Sequence, residues 1–232
     1  MSYEYYFSKN SDYHTQINNK EIPYSACNMT SEAMGLIQAK YNPVIPEGWQ
    51  LEDYLMSQVL DADETHILSY KPDAIAYAKE HAAWAFDTQG NITTPLNEVA
   101  IMLDWAANKV IGKEVSTFVS NTTVPEMLTK LFNGYGVVLS GVYHLTNGKI
   151  YYHITSLAGV VTAIPYSTDN ISLIQSADIV SFIIDDPYGD YHTNYTDHHG
   201  SHIEMPYNDF ITIQNTVNSL SKWAHFITPA SS

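Results

Sequence analysis

The spacing of apolar residues changes period near residue 135, and that change limits the fold more than any single motif does. Before it, apolar side chains recur at three-to-four intervals. Ala33, Leu36 and Ile37 follow Cys27, with Met29 one turn earlier, and similar patterns run over 49–60, 73–85, 96–107 and 124–132. Thr94-Pro95 opens one of these with proline at its favoured first position, and Asn133-Gly134 closes the last. After it, 137–143, 149–161 and 179–185 read as strands, the first two joined by a hairpin turn at Asn147-Gly148. Helices followed by antiparallel strands predict an α+β domain. Residues 1–26 read as extended or irregular, and 167–176 as an inserted loop. With no repeat or linker, one domain over 1–232 is expected, helical over about 27–135 and sheet over about 136–228.

Charge narrows the function. Formal net charge is −15, and all basic side chains are lysines. No nucleic-acid partner is expected, because that needs a basic footprint to release counterions. Anionic lipid is disfavoured for the same reason. No apolar run approaches the length of a membrane span, so no membrane insertion is expected. The N-terminus lacks the basic and apolar regions of a signal peptide, which predicts synthesis in the cytoplasm. A single cysteine excludes a disulfide framework and a cysteine-based zinc site.

That cysteine, Cys27, stands where a small-residue loop becomes helical. Ser25 is a candidate N-cap, which puts Cys27 in the first turn. A thiol there faces the positive end of the helix dipole, an arrangement that favours the thiolate. Cysteine nucleophiles also need a base, a group that orients the base, and a donor for the developing oxyanion. His153 lies inside an apolar strand, where a titratable side chain is costly unless paired. Asp186 ends a strand just before Pro187, with Asp185 as a rival orienter and His144 as a rival base. Gln16 is an amide donor in the preceding loop.

Taken in order, Gln16, Cys27-Asn28-Met29-Thr30-Ser31-Glu32-Ala33-Met34, Gly136-Val-Val-Leu-Ser-Gly141, His153 and Asp186-Pro187-Tyr188-Gly189 resemble the C39-like cysteine peptidases. The resemblance implies a papain-like fold, with the cysteine helix packed on a C-terminal antiparallel sheet. By it Cys27 is the nucleophile, His153 the base and Asp186 its orienter. Gln16 joins the Cys27 backbone N–H in the oxyanion hole. Tyr24, Asn28, Tyr152 and Tyr188 are the expected substrate-binding residues. Tyr152 departs from the pattern, since glycine usually precedes the histidine.

The segment 190–204 holds four histidines with Asp190, Asp197 and Glu204, and the polar run between Gly189 and Gly200 reads as a loop. A solvated loop over the active site is one reading. A structural ion is the other, calcium before zinc, held by Asp190, Asp197, His198 and His202. A cysteine mechanism requires no cofactor.

C39-like domains trim leader peptides beside exporters or cut cell-wall peptides in phage lysins. Exporter-linked forms carry membrane spans and an ATP-binding loop, and the sequence shows neither. The expected function is therefore an endolysin-type endopeptidase or amidase, with bacterial peptidoglycan as its partner, released by a holin to act on the wall. The alternatives are an intracellular protein-directed protease or deamidase, and a non-lytic binding module on the same fold.

Overall fold

The computed structural model describes residues 1–20, 22, 25–62, 68–93, 95–215 and 223–231. The chain opens with strand β1 (Tyr3–Tyr6), then helices α1 (Cys27–Gln38) and α2 (Leu51–Val59). A short hairpin of β2 (Leu60–Ala62) and β3 (Leu68–Tyr70) leads to α3 (Pro72–His81) and α4 (Pro95–Ile111). Next come β4 (Ser116–Ser120), α5 (Val124–Phe132), β5 (Gly136–His144), β6 (Ile150–Thr162) and β7 (Ile179–Asp185). Strand β8 (Ile203–Pro206), α6 (Tyr207–Asn215) and β9 (Trp223–Ile227) finish it. The four longer helices expected before residue 135, beyond that of Cys27, and the three strands after it all form within a few residues of the expected bounds.

The main sheet runs β4-β9-β5-β6-β7-β8, every pairing antiparallel, with β1 joined to the far half of β6. The α+β expectation with a large antiparallel sheet therefore holds. The division into a helical and a sheet part is less clean than the periodicity implies. Strands β1 and β4 come from the first half, and α6 lies in the second. The 167–176 segment is more than a loop, because short 3-10 turns at Ile171–Leu173 and Ser176–Asp178 bury Ile171 and Ile174 under α5.

Two cores sandwich the sheet. Val138 faces one, with Leu36 of α1, Leu55 of α2, Leu103 of α4 and Trp223. Its neighbours Val137 and Leu139 face the other, with Leu128 of α5, Phe182 and Phe210 of α6. That alternation is the period-two signature of a strand covered on both faces. Helix α1 is the central element of the first layer and is buried along nearly its whole length. It approaches β5 so closely that a Cβ on Gly136 would stand 2.1 Å from the Gly35 carbonyl oxygen. Cutting Leu36 back to alanine at this seam would cost roughly 2–5 kcal/mol.

The β5–β6 hairpin turns at Leu145–Gly148, with Gly148 N–H donating to Leu145 O at 3.0 Å. Gly148 takes a φ of +83° while Asn147 stays at negative φ. This is a type I turn with a left-handed glycine, not the double left-handed turn favoured by shorter hairpins. Ser25 does not cap α1. Its N–H closes a turn onto Ile22 O, and Ala26 takes the cap position without a side-chain bond. Cys27 is consequently the first helical residue.

Candidate active site

Helix α1 carries Cys27 to the edge of β6. Ser31 lies one turn further along the same helix face and donates to Ile154 O at 2.9 Å. That bond anchors the cysteine helix to the residue next to His153. Cys27 itself is half-buried. His153 sits on β6 opposite Gly141, which has no side chain to crowd the imidazole. The Cys27 thiol comes within hydrogen-bonding reach of His153.

On its other side, His153 Nε2 meets Asp186 Oδ1 at 2.6 Å. The nitrogen left for the thiol is then Nδ1. His153 is 7 % exposed and Asp186 1 %. Burial alone pulls the His153 pKa down. The Asp186 charge and hydrogen bond, reinforced by Cys27, outweigh that and raise it to about 10.

Asp186 lies just past the end of β7. Its Oδ1 also accepts Tyr188 N–H at 2.9 Å, and its Oδ2 accepts the Tyr195 hydroxyl at 3.1 Å. Its own N–H donates to Gly200 O at 2.8 Å, where a Cβ on Gly200 would come within 2.0 Å of Asp186 O. Asp185 is engaged elsewhere. Its oxygens accept the Ser8 hydroxyl and the His202 N–H, both at 2.8 Å. Successive residues of an extended chain point to opposite sides, so the two carboxylates have different partners. Burial raises the Asp185 pKa, while His202 and Ser8 partly offset it.

Gln16 is 2 % exposed, in a short 3-10 turn that Thr15 caps. Its N–H donates to Pro187 O at 2.9 Å, and Thr15 and Tyr13 hydroxyls donate to Pro187 O and Asp186 O. The N-terminal segment is thus stitched to the turn that carries Asp186. Cys27, His153 and Asp186 are in direct succession, and Gln16 joins them through its backbone bond to Pro187.

The remaining expected residues divide. Tyr188 meets the His153 ring edge-on at 6.4 Å. Tyr152, next to His153 on β6, is 60 % exposed, and Asn28 Oδ1 accepts the N–H of Met29 beside Cys27. Tyr24 lies outside the described residues. His144, at the end of β5, pairs with Ile150, three rungs or about 10 Å along from His153. It is not at the thiol.

The four candidate metal ligands do not converge. Asp190 caps a turn through His192 N–H, Asp197 accepts His199 N–H, His198 Nδ1 lies 3.1 Å from Tyr188 O, and His202 Nε2 lies 3.0 Å from the Ser8 hydroxyl. Among the described residues no group of three or more His, Cys, Asp or Glu is arranged to hold a metal ion. Asp190 and Asp197 close turns of their own, while His198 reaches back to Tyr188 and His202 to Ser8, so the four side chains point to different partners.

Two features escaped the sequence reading. Tyr143, Tyr195 and Tyr188 form an aromatic wall around His153, with ring centroids at 5.5, 5.8 and 6.4 Å. Only the tyrosine-rich composition of 188–207 hinted at it. Behind α1 lies a second buried polar group. Asp104 Oδ1 accepts the Ser116 hydroxyl at 2.8 Å and meets His225 Nδ1 at 2.7 Å. Fully buried Glu32 faces this group, and burial raises its pKa to about 7. A cleft of about 490 Å³, lined by His14, Thr15, Tyr41, Trp49 and Glu52, opens beside Gln16 and not at Cys27.

Among the described residues no helix is long and apolar enough to cross a membrane. No family model and no curated protein matches the chain. Among solved structures it is similar to one from Bacillus anthracis described as a "putative C39-like peptidase". Sequence identity is 14 %, the TM-score is 0.51, and the match covers 99 % of this chain and 100 % of that one. At this identity the likeness is one of fold.

Proposed function

We propose that this protein is a cysteine peptidase that cleaves amide bonds through Cys27, His153 and Asp186. The observation that carries the proposal is the buried His153–Asp186 contact at 2.6 Å with the Cys27 thiol on the other side of the same imidazole. A His153 held protonated at neutral pH is the counter-charge that a thiolate needs.

In the proposed reaction the Cys27 sulfur attacks the carbonyl carbon, and the carbonyl π electrons move onto oxygen. The Cys27 backbone N–H, unused by the helix because it lies in the first turn, and the Gln16 amide receive that oxyanion. The carbon–nitrogen bond then breaks, and His153 gives its proton to the leaving amine. Neutral His153 next takes a proton from water, whose oxygen attacks the thioester and releases the acid and the thiol. Asp186 keeps the imidazole oriented throughout.

For substrate we favour the peptides of bacterial peptidoglycan, as in endolysins and related lytic enzymes. The support is the motif resemblance, together with exposed Ile150 and Tyr152 on the strand that carries His153. Formal charge of −15 favours a second reading, a protease or deamidase acting on proteins, because it opposes approach to an anionic wall. Clearing of purified walls separates the two. Wall clearing with release of new amino and carboxyl ends supports the lytic enzyme. Intact walls alongside cleaved or deamidated protein substrates would replace it with the second reading.

A further inference from the structure

We propose that Tyr195 is a positioning residue for the Cys27–His153 pair, its hydroxyl fixing the second oxygen of Asp186, and that the 190–200 loop is shaped to deliver it. The proposal rests on the peptidase reading above.

Three donors converge on the Asp186 carboxylate. His153 and the Tyr188 N–H share Oδ1, and Oδ2 takes the Tyr195 hydroxyl at 3.1 Å. Without Tyr195, a buried carboxylate oxygen would lose its side-chain donor and the group could rotate away from His153. The backbone reaches this arrangement by an uncommon route. Asn194 and Tyr195 are consecutive non-glycine residues at φ of +54° and +60°. Asparagine visits that region readily, but a bulky tyrosine rarely does. Such conformations persist where the surroundings over-determine them.

Here they are over-determined from both sides. The Thr146 hydroxyl and Asn147 N–H of the β5–β6 turn donate to Asn194 Oδ1 at 2.9 and 3.4 Å. Tyr195 N–H donates to Asp190 O, and Asp190 N–H to Asp197 O. The result turns Tyr195 inward, 5 % exposed, with its ring edge-on to His153 and to Tyr151. The residue types that resemble an ion loop in the sequence thereby serve to aim one hydroxyl. Groups facing Asp186 are His153 from β6, Tyr143 from β5, Tyr13 from the N-terminal segment, and Tyr191 and Tyr195 from the loop. Asp185 is its chain neighbour and bonds away from it.

The test uses the full-length protein and the rate of Cys27 alkylation by iodoacetamide across pH, which needs no substrate and reads one thiol. Four proteins are compared: wild type, Tyr195→Phe, Tyr191→Phe and a protein with 3,5-difluorotyrosine at position 195. Tyr191 is the control, since its buried hydroxyl has no hydrogen-bond partner among the described residues. Tyr195→Phe should slow alkylation at about pH 6 roughly ten- to hundredfold, the scale of one hydrogen bond to a charged group. It should also move the acid limb to higher pH, because the imidazolium that pairs with the sulfur is then held less firmly in place. Tyr191→Phe should match wild type. Installing 3,5-difluorotyrosine at position 195 keeps the shape and strengthens the donor, so the limb should move the opposite way even if the phenylalanine variant folds poorly. Superimposable profiles for wild type and both Tyr195 replacements would overturn the proposal, as would an equal shift in Tyr191→Phe. A shifted profile in a protein that cleaves no amide would remove the peptidase reading and leave the positioning role. Amide cleavage with unchanged Tyr195 profiles would do the reverse.

Discussion

The backbone N–H of Gln16 donates to the carbonyl of Pro187 at 2.9 Å, one residue past Asp186. Two segments far apart in sequence are therefore held as one piece, the proposed oxyanion donor on one and the proposed orienting carboxylate on the other. The chemistry proposed for Cys27 would depend on that junction as well as on the cysteine helix. The consequences can be measured one residue at a time.

Gly200 is the tightest point of the junction. A Cβ there would stand 2.0 Å from Asp186 O and 2.9 Å from Gly189 O, so backbone has to move. Gly200→Ala should destabilise the fold by roughly 1–3 kcal/mol, the usual cost of overpacking. It should also lower kcat more than that loss of folded protein explains, because the shift falls on Asp186. Thermal unfolding and turnover of the same preparation check both.

Asp186→Asn removes the charge that keeps His153 protonated. With a pKa raised from 6.5 to about 10, His153 contributes stability that is fully present below about pH 6.5. It is lost as pH rises through about 10. Wild type should therefore exceed Asp186→Asn in Tm at pH 6 to 7, with the gap closing towards pH 10. Turnover of the variant at neutral pH should fall by at least roughly 10²-fold.

Glu32 tests a different window. Its carboxyl oxygens make no close hydrogen bond among the described residues, and burial, partly offset by His225 and the Ser116 hydroxyl, raises its pKa from 4.5 to about 7. A raised carboxyl means stability present below about pH 4.5 and lost as pH rises through about 7, on the order of 3 kcal/mol. Glu32→Gln should flatten that decline and be more stable than wild type at pH 8 in denaturant titrations.

Tyr152 is expected to act on binding alone. Its side chain is mostly exposed and contributes little to the core. Tyr152→Ala should raise KM several-fold, leave kcat within about twofold and leave Tm unchanged, the pattern of lost uniform binding. Steady-state kinetics on a cleaved peptide decides it.

The elements that spoke in the sequence were those with a regular period and one buried stripe or face, such as α5 and the alternating start of β6. Strand β9 did not, although it lies between β4 and β5. All five of its residues are buried, so Trp-Ala-His-Phe-Ile shows no alternation. Strand β4 is short and polar at both ends. Cys27, His153 and Asp186 were legible because each breaks its surroundings: a thiol at a helix start, an imidazole in an apolar strand, a carboxylate before proline. The inward placement of Tyr195 against Asp186 was not, since it comes from a left-handed backbone that only Asn194 hints at. Local turn chemistry was equally hidden at Asp190 and Asp197, whose carboxylates accept the N–H groups of His192 and His199.

The most direct measurement incubates wild type and Cys27→Ala with isolated peptidoglycan and with a mixed peptide library, and follows the products by mass spectrometry. A Cys27 peptidase releases fragments with new amino and carboxyl ends from at least one of these, and Cys27→Ala releases none. Equal cleavage by both proteins, or none by a folded wild type on any substrate, would contradict a cysteine peptidase.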